Sequence, residues 1–400
     1  MVVDRKSIPK KWWIHVWHIM FNGILASSSL VSINARHGRW QQSAFYHRKQ
    51  SKMIRRLRSF SNTSTFWQNP QTMPAQFRHD HLQKTALFSS EGTDFNQFSE
   101  SAIELISSTK GATVKLFSLI LSQKKARVQH QLTVVEGHRL VLDLLKNNTT
   151  RFLIRHILVT QQALETTELG PELRNEIGAL LSVRDDSLKV NLVTEQVIKL
   201  CTDTITPQGV VAMCSIPPEW EATTPANENS LYLVLDGVSD PGNVGTLIRS
   251  SLAVNVEAVL LLPGCVDVYS PKAVRSAMGG TFRVPIRTME SPEQCWSYLR
   301  QFCGVDMKRI FAATMDNGDS SDSPSPAHCD IDWQSGPSAL CIGKEGQGLS
   351  PEVREAVLNG RISSLHVPMA NGVESLNAAV CGSVIMFEYA RQAAKIIGNS

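Results

Sequence analysis

Leu231-Tyr-Leu-Val-Leu-Asp-Gly-Val-Ser-Asp-Pro-Gly-Asn-Val-Gly-Thr-Leu-Ile-Arg249 decides the fold. Its first five residues are apolar without alternation, the pattern of a parallel strand covered on both faces. A Gly/Asp/Pro turn follows, and Gly245–Ala253 then reads as a helix. Outward from this unit the motif repeats in kind. Ala258-Val-Leu-Leu-Leu, Arg309-Ile-Phe-Ala-Ala-Thr and Ala339-Leu-Cys-Ile-Gly read as further strands, and Ser375–Ile397 as a long apolar-periodic helix. Strands alternating with helices specify an α/β domain with a mostly parallel sheet and helices on both faces, over 231–397.

Upstream, residues 99–217 read as a second, smaller α/β domain. Val114–Leu121 has helical apolar spacing, and Gln123-Lys-Lys-Ala-Arg127 is a basic run expected to be exposed. Leu132–Gly137 reads as strand and turn, His138–Leu145 as a helix and Ile154–Thr160 as a buried strand. Residues 218–230 form a polar linker without periodicity. The Asp/Ser/Pro-rich stretch Asp316–Pro337 reads as a flexible surface loop. No internal repeat is evident.

The 400 residues carry 40 Lys+Arg against 36 Asp+Glu, with 42% apolar and 19% charged residues. Collagenous, wholly disordered and coiled-coil readings are excluded. The net charge of +4 is unevenly spread. Residues 1–90 hold 14 Lys/Arg and two acids, a balance of +12, which leaves −8 for the rest. The body therefore binds nucleic acid only through a local patch. The basic, Ser-rich, acid-poor residues 1–90 have the composition of a mitochondrial or plastid transit peptide, and Met53-Ile-Arg-Arg-Leu-Arg would itself begin one. The apolar stretch from Trp12 to Ala35 is too broken by His15, His18 and Asn22 for a membrane span. All eight cysteines follow residue 200, none in a C-x-x-C pair, and the histidines show no ligand spacing. Buried thiols in a reducing compartment are expected, and no metal site.

Three turns carry the chemistry. Each follows a strand of the second domain: Asp236–Arg249, Ile342-Gly-Lys-Glu-Gly-Gln-Gly-Leu349, and Val367-Pro-Met-Ala-Asn-Gly-Val-Glu-Ser-Leu-Asn377. Ligands of open α/β sheets bind outside the carboxyl ends of strands, so the three loops point to one crevice. None is a dinucleotide fingerprint or a P-loop. Glycines there let main-chain groups approach and read an adenine. Arg249 suits a phosphate or a developing oxyanion, and Ser375 and Asn377 stand where they could cap the last helix or bind a hydroxyl.

In order and spacing the three segments resemble the motifs of the SpoU/TrmH branch of the SPOUT superfamily, RNA ribose 2′-O-methyltransferases that use S-adenosylmethionine. Ser270-Pro-Lys-Ala-Val-Arg-Ser-Ala-Met-Gly-Gly-Thr-Phe-Arg-Val-Pro285 resembles the family's segment between its first two motifs. Lys115–Leu145 and Thr206-Pro-Gln-Gly-Val-Val-Ala212 are similar, more loosely, to an L30e-like RNA substrate-binding domain. The resemblance implies a trefoil knot in the catalytic domain and a homodimer with each cofactor site close to the partner. It also implies cofactor contacts from Gly343, Val367 and Leu376, and a catalytic set of Asn243, Arg249, Glu345, Ser375 and Asn377. The L30e-like context implies RNA contacts from Lys124, Lys125 and Arg127. The sequence departs from the pattern at Ala378-Ala379 and Cys381, where no catalytic group is lost, and in the length of the Asp316–Pro337 stretch. The expected function is an organellar rRNA or tRNA 2′-O-methyltransferase. The alternative is a catalytically silent RNA-binding relative in ribosome assembly. A base methyltransferase of the same superfamily is disfavoured because those branches lack the Asn-x-Gly-x-x-x-Arg motif.

Overall fold

At the centre of the larger sheet lies β6 (Leu231–Leu235), all five of its residues buried. Leu231, Leu233 and Leu235 point into one apolar layer and Tyr232 and Val234 into the other, so no polar face remains. The computed structural model describes residues 103–398 apart from 166, 184–187, 223–227, 315–324, 371, 372 and 374. The expected transit segment 1–90, the Met53 start and residues 316–324 lie outside the described residues.

The smaller domain contains β1 (Leu105–Ile106), α1 (Ala112–Ser122), α2 (Lys124–His130), β2 (Leu132–Glu136), α3 (His138–Lys146), β3 (Ile154–Val159), α4 (Gln161–Glu165), α5 (Gly170–Val183), β4 (Lys189–Val193), α6 (Glu195–Leu200) and β5 (Val210–Ser215). Its five-stranded sheet has the order β1-β4-β3-β5-β2, with β5 antiparallel to both neighbours. Helix α1 buries Val114, Phe117 and Ile120 at i, i+3 and i+6, as its spacing requires.

The larger domain adds α7 (Pro241–Ala253), β7 (Ala258–Leu261), α8 (Pro271–Ser276), β8 (Ile286–Thr288), α9 (Pro292–Cys303), β9 (Ile310–Ala313), β10 (Ser338–Ile342), α10 (Pro351–Leu358), β11 (Ser363–Leu365) and α11 (Ala378–Gly398). Its sheet order is β11-β9-β10-β6-β7-β8, with every pair parallel. From β6 the chain runs outward through β7 and β8. It then crosses to the other half, so β6 and β10 flank the topological switch point, where open α/β sheets bind ligands. In register, Leu235 stands level with Leu261 on one side and Ile342 on the other.

Four expectations are corrected. Helix α7 begins four residues early: Pro241 sits at its first position and the Asp240 carboxylate accepts from Asn243 N–H at 2.9 Å. Helix α11 begins at Ala378 and not at Ser375. The basic run belongs to α2 and is not wholly exposed, since Arg127 is 5% exposed. The described part of the Asp316–Pro337 stretch is packed. Trp333 is fully buried, edge-on to Phe311 at 5.3 Å, and donates from Nε1 to His328 O. A single aromatic in polar company leaves no period to read. Trp220 of the linker likewise docks on the larger domain, its N–H donating to Ile286 O.

Candidate active site

Two of the three turns are joined at their roots. Asp236 N–H donates to Ile342 O at 2.8 Å, and the Asp236 carboxylate accepts from Ser350 N–H at 2.6 Å, the residue that caps α10. Burial raises the Asp236 pKa, and the Ser350 contact opposes that shift. A third wall follows β7. Cys265 Sγ donates to Leu235 O, and Val266 N–H to Val238 O at 3.0 Å.

Glycines keep these roots close. A Cβ on Gly264 would lie 3.4 Å from Gly237 Cα. At Gly343 a Cβ would meet the Gly348 carbonyl carbon and oxygen at 2.6 Å, which are backbone atoms and cannot give. The Gly343 loop closes on itself, Lys344 and Gly348 exchanging both backbone hydrogen bonds at 2.8 Å.

Above the roots, three side chains lock the three turns together. Asn243, in the first turn of α7, donates from Nδ2 to Glu345 Oε2 at 2.8 Å. Asn377 donates from Nδ2 to Glu345 Oε1 at 2.7 Å and to Asn243 Oδ1 at 3.0 Å. Asn377 Oδ1 meanwhile accepts from Ala379 and Val380 N–H and so caps α11. One carboxylate thus holds two amides, each from a different turn. The Asp240 carboxyl beneath them is held below its usual range, first by Asn243 N–H.

Residues 230–387 match the model of the SpoU rRNA Methylase family, and residues 112–212 that of the MRM3-like substrate binding domain. An uncharacterised tRNA/rRNA methyltransferase of Synechocystis is 30% identical over 292 residues, 73% of this chain and 95% of that protein. The chain belongs to the SpoU rRNA methylase family. The 23S rRNA (guanosine(2553)-2′-O)-methyltransferase RlmP of Bacillus subtilis is 29% identical, spanning 70% of this chain and 97% of that protein. The mitochondrial rRNA methyltransferase 3 of Xenopus laevis is 27% identical over 68% of this chain and 72% of its own length. The crystal structure of an AdoMet-bound rRNA methyltransferase from Sinorhizobium meliloti superposes with a TM-score of 0.58 at 26% identity, over 72% of this chain and 98% of that one. As a SpoU family member the chain is an RNA methyltransferase.

Against the SpoU motifs the structure sorts the site residues into two groups. Asn243, Glu345 and Asn377 meet directly, and Gly343 lies at the root of the same crevice. Val367 is half-buried against the core beside β11, and Leu376 is half-buried one residue before the helix cap. Arg249 and Ser375 are exposed and bond no side chain of the triad. Arg249 follows Asn243 by six helical positions, about 9 Å along the axis and about 120° around it. Asn371, Gly372 and Glu374 of the third turn lie outside the described residues. Lys124 and Lys125 are exposed on α2, whereas Arg127 is turned inward onto Asp267.

The donor set suits an adenosyl ligand: main chain bared by glycine at the ends of β6, β7 and β10. The wall after β7, with Gly264, is absent from the sequence reading. Its signal was Leu262-Pro-Gly directly after a strand. Burial pushes the Cys265 and Cys381 thiols up to about 11, so neither is a thiolate nucleophile at neutral pH. Among the described residues no three His, Cys, Asp or Glu side chains gather as a metal site. None of the described helices is long and apolar enough to cross a membrane.

Proposed function

We infer that the chain is a mitochondrial rRNA ribose 2′-O-methyltransferase, using S-adenosylmethionine and working as a homodimer. The observation that carries this reading is the Asn243–Glu345–Asn377 triad, which gathers three motif turns over the switch point between β6 and β10. RlmP is named for 2′-O transfer to guanosine in rRNA, and several relatives are named as mitochondrial rRNA methyltransferases. The basic, acid-poor residues 1–90 support the same destination.

S-adenosylmethionine, when bound, supplies an electrophilic methyl group on a sulfonium. A ribose hydroxyl is a poor nucleophile at neutral pH, so the chain must align it and stabilise the emerging oxyanion. Gly343, Val367 and Leu376 hold the donor, largely through main-chain groups. Glu345 fixes the second turn against Asn243 and Asn377, and the Ser375 hydroxyl, two residues before the cap, holds the substrate hydroxyl. Arg249, permanently charged, faces the oxyanion, with an RNA phosphate beside it to take the proton. Lys124 and Lys125 contact the RNA backbone.

The dimer covers α11, where Val380, Val384 and Phe387 are exposed at i, i+4 and i+7 beside the α7 face that carries Arg249. Ser250 and Ser383 tie those two helices at 2.8 Å. The trefoil threading of the SpoU fold belongs to the same reading. Ribose-methylation mapping of mitochondrial rRNA and tRNA, with and without the protein, tests it. One position should lose its methyl group, and an unchanged map would refute the assignment. Calorimetry with S-adenosylmethionine is the companion measurement. Donor binding with no transfer to any RNA would return the chain to the silent RNA-binding alternative.

A further inference from the structure

We propose that Arg127 and Asp267 form a latch that sets the register of the smaller domain against the donor crevice, which makes Arg127 a positioning residue for methyl transfer. The proposal rests on the reading of the chain as an RNA methyltransferase whose smaller domain holds the RNA.

The geometry is specific. Arg127 Nε donates to Asp267 Oδ2 at 2.8 Å, with side-chain exposures of 6% and 14%. The same guanidinium donates from Nη1 to Ile120 O at 2.8 Å and Leu121 O at 3.1 Å. Those carbonyls belong to the last turn of α1, where a helix leaves acceptors unpaired. Asp267 is saturated from its own side as well, since its Oδ1 accepts from Tyr269 N–H at 2.9 Å. Tyr269 O in turn accepts from Thr133 Oγ1 of β2 at 2.6 Å. One residue before Asp267, Val266 N–H reaches Val238 O in the first motif turn, and Cys265 Sγ reaches Leu235 O. A continuous set of hydrogen bonds therefore runs from α1 and α2 of one domain to the crevice wall of the other.

The other ion pairs between the domains have at least one well-exposed or half-exposed partner. Arg283 meets Asp143 at side-chain exposures of 23% and 45%, and Arg275 meets Asp203 at 28% and 55% and the buried Glu136 of β2 at 28% and 6%, over 3.3 Å. They join β2, α3 and the loop before β5 to α8 and the turn after it, not to the turn after β7 that carries Asp267. Solvent-exposed pairs contribute little and tolerate sliding. A buried pair adds little net stability over apolar packing, but it has one satisfied geometry. Arg127 also sits one turn after Lys124 on α2, so the latch fixes where the exposed lysines stand.

The experiment compares Arg127→Met, Arg127→Lys, Asp267→Asn and the control Arg283→Met in the full-length protein. Arg127→Met should raise KM for folded RNA or lower kcat by about tenfold, while the Kd for S-adenosylmethionine stays within about threefold. Hydrogen exchange over residues 263–270 should accelerate, with α10 unchanged. Arg127→Lys keeps the charge without the fork and should fall between Met and wild type. Arg283→Met should leave KM and loop exchange at wild-type values. If Arg127→Met does not fold, Asp267→Asn carries the test with the same expected split. Kinetics within about twofold of wild type in a folded latch variant would overturn the proposal, as would equal losses from Arg283→Met. Wild-type protein that methylates no RNA would defeat the functional reading instead, and the exchange pattern would then decide the latch alone.

Discussion

Arg249 and the triad differ in what their polar atoms meet. Asn243, Glu345 and Asn377 spend their polar atoms on one another, which fits them to hold turns in place, whereas Arg249 is exposed and bonds none of them. Arg249→Ala should therefore leave calorimetric donor binding unchanged and cut turnover more than about tenfold. Turnover within tenfold of wild type removes Arg249 from the mechanism. These residue types were legible in the sequence because the motif turns are local. Arg127 was not, because burial of a charge depends on Asp267, 140 positions away, and nothing in a basic run marks the member that turns inward. Glu388 is the opposite case, since its partners are three and four residues along the same helix. Arg391, then Gln392, lower its pKa from the usual 4.5 to about 2. A depressed carboxyl stabilises the fold fully above 4.5 and loses that contribution as pH falls toward 2. Glu388→Gln should flatten the thermal midpoint against pH in that window. The pair lies near the surface, so the effect is below about 1 kcal/mol.

Among the elements, the turn after β10 is closed tightly at its root. Gly343 has no positive φ to satisfy, so its requirement is steric: an added Cβ would enter the Gly348 backbone. Gly343→Ala must open the loop that carries Glu345. Donor affinity should drop by about tenfold or more in calorimetry while the thermal midpoint moves little, because the loop is at the surface. Unchanged affinity would place the donor away from this turn. The strands that decided the fold were readable because β6, β7 and β10 are covered on both faces and need uninterrupted apolar runs. Strands β1, β8 and β11 have two or three residues each, too few for any period to show. The packed part of the Asp316–Pro337 stretch escaped for a related reason. Its order comes from Trp333, from the bridge between Ala327 and His366, and from Arg309 and Gln392 donating to its carbonyls, all of them tertiary.

For the molecule as a whole, the unfinished surface is that of α7 and α11. Most of the long helix is accounted for: Ala378, Ala379, Ile385 and Met386 enter the core, and Gly382 packs so closely that a Cβ would meet Leu247 Cδ2 at 2.5 Å. The opposite stripe is equally apolar and has nothing on it. Val380 is 49% exposed, Val384 38% and Phe387 53%, in a helix whose neighbour α7 presents Arg249. Other large apolar side chains stand exposed elsewhere, among them Ile205 and Leu358, but these three share one face of one helix, and a self-complementary helical face suits a two-fold dimer. Phe387→Glu puts a charge on that stripe, at its most exposed member, without touching the core or the triad. The wild-type protein should sediment as a dimer and the variant as a monomer, with unchanged circular dichroism. If the site needs its neighbour, methyl transfer should fall with the monomer fraction and recover as protein concentration drives reassociation. A variant that stays dimeric would move the interface off this face. One that is monomeric yet fully active would show that each crevice is complete within a single chain.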